Sequence, residues 1–348
     1  NRILNDAITT LTKANTIIGG CNNLINSRGQ TLANNVIVGG NTNCIGTPNN
    51  TGAAQHAILN NTIMGGVDNI IEDSSDSFIF SGFINRVVDN SFQAGILAGC
   101  RNRLNGIAED SVIIAGKCNR ISNGGRQAII TGIRNCIQGG SNESVIAAGR
   151  CNYLCNASYR NFIGGGQENQ IQRSENASIV AGEFNTILGR NCDRSQCNST
   201  ILGGSFNQIG DGTQNSERGH TNAIVNGRCN TITRKNSYFN IIGAGNNNCI
   251  SDDVSGSFIG AGCSNLVSSS LYSSILAGKN NVVQGLNNTF VVGSDLTAER
   301  ACTTFVNSLD ISSSLDFTLS EIPTSDVGLR QGQLYRTGSS FDELRIKL

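Results

Sequence analysis

Residues 110–121 read DSVIIAGKCNRI, and the same frame returns at 198–209 as NSTILGGSFNQI and at 255–267 as SGSFIGAGCSNLV. Each stretch sets an Ile three residues before a Gly, an Asn three residues after it, and an aliphatic residue two further on, giving I-x-x-G-x-x-N-x-I. With the Gly as origin, the frame recurs at Gly20, Gly40, Gly66, Gly82, Gly99, Gly116, Gly132, Gly149, Gly166, Gly182, Gly204, Gly227, Gly245, Gly262, Gly278 and Gly293. Most of the spacings are 16 or 17 residues. Ile fills position −3 in fifteen of these sixteen units, among them Ile17, Ile37, Ile63, Ile113, Ile129 and Ile201, and Phe290 stands there in the last. Asn fills position +3 in the same fifteen, including Asn23, Asn43, Asn102, Asn119, Asn207 and Asn281.

Side chains on a strand alternate between faces. The Ile, the small residue at −1, the Asn and the aliphatic at +5 share odd offsets and are expected on one side. The Gly allows a bend and a close approach of neighbouring coils. Each unit is therefore expected to hold two short strands joined at a Gly corner. The predicted fold is all-β: a parallel β-solenoid (β-roll or β-helix) of about sixteen coils, with Ile stacked on Ile and Asn amides bonded from coil to coil. Fifteen copies of one Asn fit a scaffold, not a catalytic role. Gly and Asn are poor helix formers, and the unit is shorter than the usual helical repeats.

Position −2 has even parity and is expected to point outward, yet it is mostly large and apolar, as at Ile18, Met64, Phe80, Leu97, Ile114 and Ile130. Such a stripe exceeds the apolar patch a monomer usually exposes. Burial against identical chains is the expected outcome, and the alternative is a wider monomeric coil that encloses both faces. Aspartate at Ile113 or Ile130 is expected to unfold or split the assembly, by placing a charge in a dry ladder.

Three regions are read along the chain: a lead-in at 1–14, the repeat domain at 15–293, and a neck with a β-hairpin cap at 294–348, where GQLYRTG and ELRIKL read as two short strands. Such an end covers the open edge of a solenoid. Longer spacings place insertions at 26–34, 46–60, 189–198 and 210–221. These are expected as side loops, where repeat proteins often bind partners. Pro48, His56, Arg194 and His220 lie in them as candidate binding residues, and neutral surface decoration is the competing reading.

Lys and Arg number 25, Asp and Glu 25, so the formal net charge is zero. That balance argues against nucleic-acid and membrane-surface partners. No run of about 18 apolar residues is present, so no membrane insertion is expected. Residues 1–10 lack the apolar stretch of a signal peptide, and the first residue is not Met, so either an upstream segment is expected to have been removed or the numbering to start mid-protein. Thirteen cysteines without framework spacing read as small packing residues kept reduced by cytosolic assembly. Bridges Cys151/Cys155 and Cys192/Cys197 are the alternative.

Catalytic chemistry has little support. The two histidines sit in separate insertions, and no Walker loop, HExxH or paired CxxC occurs. The GG and GxG strings are repeat corners outside any strand–helix context. No metal or cofactor is expected, since the acidic repeat of calcium-binding solenoids is missing. Glu72, Asp73 and Asp76, or Asp252 and Asp253, are the carboxylates a glycan-cleaving solenoid would use. Solvated turn residues are the simpler account of them.

The units, including NTIIGGCNNLI at 15–25, resemble the head repeats of trimeric autotransporter adhesins and the related repeats of phage and large-virus fibres. The resemblance covers about residues 15–293. The closing VGLRQGQLYRTG at 327–338 is similar to carboxy-terminal strands of viral and phage fibre proteins. The resemblance implies a homotrimer of parallel β-rolls that displays a surface for attachment. The sequence carries no long heptad stalk, membrane-anchor barrel or self-cleaving chaperone domain. Its cysteine content suits assembly in a reducing cytoplasm. A non-enzymatic fibre or spike on a virion surface is expected, contacting a cell-surface glycan or protein receptor and other fibre or virion proteins. An extracellular or cell-surface location, a purely structural decoration protein and a polysaccharide depolymerase are the alternatives.

Overall fold

The computed structural model describes residues 1–5, 14–27, 31–46, 57–156, 159–189, 198–210, 221–233, 237–308, 334–336 and 344–346. They form a compact unit over Asn1–Val306 and belong, beyond it, to a second unit over Asn307–Leu348. The first unit is a parallel β-solenoid. Its strands are mostly two or three residues long and fall into two parallel sheets. The upstream sheet takes the strand before each Gly corner, and its pairings run in one line from Thr16–Ile17 to Thr304–Val306. The downstream sheet takes the strand after the corner and runs from Arg2–Asn5 to Val282–Gln284 over sixteen strands.

Register follows the sequence frame. Ile79 pairs with Ile96, Ile96 with Ile113 and Ile113 with Ile129. Across the corner, Leu104 pairs with Ile121 and Ile121 with Ile137. All of these are fully buried. One aliphatic from each sheet per turn fills the interior, and each is worth roughly 3 kcal/mol of transfer free energy. The third side of the turn supplies mostly small inner residues such as Ser74, Ser91, Ala108 and Ser141, with Leu32, Ile58 and Val254 as larger exceptions, so the core is thin.

The corner glycines of the fifteen complete turns have φ between +79° at Gly20 and +111° at Gly262. At Gly116 a Cβ would collide with the carbonyl oxygen of Gly132 and with the amide of Asn119. Backbone conformation and stacking distance thus both demand Gly. Two residues on, the chain takes a left-handed conformation again, with φ of +57° at Ile84, +56° at Arg101 and +55° at Phe184. Nothing in the residue types marks this second bend.

The structure departs from the sequence reading in five places. There are fifteen complete turns, not sixteen: the last unit keeps its upstream strand, Phe290–Val292, but its downstream side shrinks to a bridge between Val282 and Thr297. Within that unit Val291, not Phe290, pairs with Ile275, and an irregularity between Ile275 and Ala277 then absorbs the one-residue difference before the corner, so Val291 is buried and Phe290 is exposed. The residues at −1 do not face inward, and Ser81, Thr131 and Ala181 are exposed. Insertions 26–34 and 46–60 are not wholly side loops: Leu32–Ala33 pairs with Ile58–Leu59 on the third side, and Leu32 and Ile58 join the core. Finally, Ile130 is 42% exposed whereas Ile113 is buried, so only the latter lies in the dry ladder.

The sheets also extend past the repeats, through Arg2–Asn5 at one end and Thr304–Val306 at the other. In the second unit Leu334–Arg336 and Leu344–Ile346 pair antiparallel, as the two short strands read from GQLYRTG and ELRIKL.

Candidate functional site

The polar ladder at +3 is the most ordered feature of the interior. Asn102 donates its backbone N–H to Asn85 Oδ1 (3.0 Å), and its Nδ2 donates to Ala98 O (3.2 Å) and Gly116 O (3.0 Å). Its own Oδ1 accepts the N–H of Asn119 (3.0 Å). The sequence suggested amides bonded to amides. The ladder instead runs mainly from side chain to backbone and satisfies the peptide groups exposed by the corner. Asn23, Asn43, Asn207 and Asn281 repeat the arrangement. Ile37, Ile63, Ile129 and Ile201 are fully buried, while Ile17, near the first turn, is half-buried. All are scaffold.

A second ladder stands at −5. Asn35 accepts the N–H of Asn61, which accepts that of Ser77, whose hydroxyl accepts that of Ala94. Asn161, Asn222, Asn240, Ser257 and Ser273 continue it. Mixed Asn and Ser hid it from the frame, since either side chain can serve an inter-coil N–H.

The three sides differ outwardly. On the upstream sheet, columns −4 and −2 face out and hold no charged residue in any of fifteen turns. Ile18, Met64, Phe80, Leu202 and Leu276 are each more than 40% exposed. Small residues at −2 are offset at −4: Gly164 follows Phe162, Gly243 follows Ile241, and Gly260 follows Phe258. The reverse holds at Gly95, where Leu97 stands at −2 and a Cβ would fall on the Phe78 ring. Every turn therefore contributes at least one large apolar side chain.

The downstream face is mixed: besides cations it carries the carboxylates Asp68, Glu168 and Glu183 and exposed apolar residues such as Phe83, Ile133 and Phe206. Arg86, Arg103 and Arg120 stack in register at +4. Arg101 and Arg134 stand at +2, and Lys117 and Arg150 on the bridge ladder at +1. Arg103 pairs with Asp89 (3.4 Å). Among the described residues the other ion pairs form one run on the third side, Arg126–Glu143–Arg160–Glu175, across consecutive turns. Exposed pairs of this kind add little stability.

Of the candidate carboxylates, Glu72 is half-buried and its carboxyl is raised above its ordinary value, first by burial and then by the charges of Asp73 and Asp89, with Arg86 and Arg103 opposing. Asp73, Asp76, Asp252 and Asp253 occupy left-handed turn positions, with φ of +45°, +56°, +52° and +51°. Asp76 accepts from Asn60 Nδ2 (2.7 Å). Such short polar residues suit that conformation; Asp76, Asp252 and Asp253 are exposed, as the solvated-turn account expects, whereas Asp73 is half-buried. Pro48, His56, Arg194 and His220 lie outside the described residues, as do Cys192 and Cys197. Cys151 is a free thiol, so the Cys151/Cys155 bridge does not form. Burial pushes the Cys44 thiol up to about 12 and that of Cys155 to about 11, as expected for packing residues. No group of three or more His, Cys, Asp or Glu placed to hold a metal occurs among the described residues. No helix there is long and apolar enough to cross a membrane.

No protein-family model matches the chain, and no curated protein matches it in sequence.

Proposed function

We propose that this chain is the rod of a self-associating fibre or spike, packed as a homotrimer through its upstream face, whose remaining sides form an attachment surface without chemistry of its own. The observation that carries the reading is the charge-free apolar face kept over fifteen turns. Parallel sheets are ordinarily covered on both faces, and here the interior covers only one. A patch of this extent on a single chain is an association surface. Compensation between −4 and −2 keeps it continuous, which core packing alone does not require. The likeness of the repeats to fibre head repeats supports three chains and an attachment role, on a virion or a cell surface.

Light scattering on the purified chain tests this. A mass of three chains is expected, and the outward variants Leu97→Lys, Ile114→Lys and Ile130→Lys combined should reduce it to one chain while leaving the circular dichroism spectrum intact. A monomeric wild type would overturn the reading. One observation favours a second reading, a lateral glycan-cleaving site. The raised carboxyl of Glu72 beside Asp73 and Asp89 has the character of a general acid. Release of reducing ends from a polysaccharide, abolished by Glu72→Gln, would establish it.

A further inference from the structure

The zero net charge of the chain conceals a segregated distribution. Over the five turns cornered at Gly82, Gly99, Gly116, Gly132 and Gly149, the downstream face carries Arg86, Arg101, Arg103, Lys117, Arg120, Arg134 and Arg150, all exposed. Against these seven cations stand Asp89, paired with Arg103, and at the edge of the patch the half-buried Glu72, which feels Arg86 and Arg103. Arg120 Nε is met only by a neutral acceptor, Asn105 Oδ1 (3.0 Å). Like charges opposite one another on neighbouring strands repel, and the column Arg86–Arg103–Arg120 sets three in register. Nothing in the fold requires cations there: the same +4 column holds Cys44, Gln170, Thr186 and Thr231 in other turns.

The patch is elongated. Four steps of about 4.8 Å give it a length of roughly 19 Å along the axis. A shallow groove of about 450 Å³ approaches it between the +2 and +4 columns, lined by Asn22, Thr42, Asp68 and Ile84 on one side and Leu24, Cys44, Ile70 and Arg86 on the other, so that it holds one carboxylate, next to the turn of Arg86. The groove follows the axis and reaches the patch at Arg86.

We propose that this face binds a linear sulfated polysaccharide laid along the solenoid axis, its sulfates held by the seven-cation patch and its sugar chain continuing into the groove. Arginine forks match tetrahedral oxyanions, and amide, hydroxyl and aliphatic side chains suit a hydroxyl-rich chain. A single-stranded nucleic acid is favoured less, because its bases stack on aromatic faces and no aromatic lines the groove. A duplex is read by a helix or ribbon that enters its groove, and the strands of the five patch turns are only two or three residues long. The inference gives the attachment reading a ligand class. The two fail separately, since a monomeric mass would remove the trimer and leave this binding untouched.

The test uses the full chain and immobilised, size-fractionated heparin oligosaccharides. Binding should persist near 0.15 M ionic strength and vanish on fully desulfated material. Arg86→Gln, Arg103→Gln and Arg120→Gln combined should weaken it at least about tenfold and flatten the dependence of log Kd on log salt by about two to three, as expected when that many counterion-releasing contacts go. Arg228→Gln with Lys279→Gln, cations in other turns, should change neither. If the triple variant loses its circular dichroism spectrum, Arg103→Gln and Arg120→Gln singly replace it, each expected to weaken binding several-fold. Unaltered affinity of the folded variants, no binding by wild type, or tighter binding to charge-matched oligothymidine would each overturn the proposal, the last in favour of a nucleic acid.

Discussion

The carboxamide of Asn102 shows why one residue type recurs at +3. It must donate twice, to Ala98 O and Gly116 O, and accept once, from the N–H of Asn119. Aspartate matches it in size but can only accept when ionised, and glutamine has the groups on a longer stem. Asn102→Asp leaves two carbonyls facing a buried charge. We expect a loss of about 3 kcal/mol or more, measured as a fall in the denaturant midpoint, with Ser81→Ala on the exposed surface as a control near zero. The Gly and Asn of the frame are thus one device: the Gly brings the coils together and the Asn bonds the peptide groups that the bend leaves open.

At the scale of the element, the turn is a triangle with two sheet sides and one side of turns. Strands of two or three residues have no standing alone; each is fixed by identical strands above and below. The acidic Glu72 lies just past the downstream strand Ile70–Ile71. Its folded carboxyl holds the proton more tightly than the ordinary value of 4.5, through burial and the charges of Asp73 and Asp89. The folded state then binds more protons than the unfolded one in the window above 4.5, so stability falls as pH rises through it. The penalty is absent below the unfolded value and complete above the folded one. Glu72→Gln should therefore raise the melting temperature at neutral pH, and the gap should close as the pH is lowered below about 4.5. A gap that widens on acidification would contradict this environment for Glu72.

At the scale of the whole molecule, three sides of the solenoid over Asn1–Val306 have different chemistry: charge-free and largely apolar upstream, mixed downstream with a cationic stretch over five turns, and turns with alternating charges on the third side. A pair of aspartate substitutions separates inside from outside. Ile113→Asp places a charge among buried isoleucines and should abolish the cooperative melt, whereas Ile130→Asp, one position beyond the ladder at Ile129, should keep the fold and lower only the assembled mass. Circular dichroism and light scattering on the two proteins read both outcomes, and equal behaviour would contradict the assigned faces.

The sequence by itself determined the solenoid, its period, the parallel register and the inner positions −3, +3 and +5, because a repeated coil fixes each residue against its own copies and the copies are visible as a pattern. It also displayed the outward stripe at −2, which parity alone assigns. Only the tertiary structure decided what no repeat of residue type records. The left-handed bend at +2 is imposed on Ile84 and Phe184 by the corner geometry. The second ladder at −5 is filled mostly by Asn and Ser, with Gln127 among them and breaks at Ala94 and Ala177. Leu32 and Ile58 become core because their insertions pair with each other. Val291 is buried because it, and not Phe290, pairs with Ile275, the odd residue being taken up between Ile275 and Ala277. The cationic patch, too, is scattered along 65 residues of sequence, from Arg86 to Arg150, and cancelled in the net charge. It becomes one surface only because the coil returns to the same side every turn.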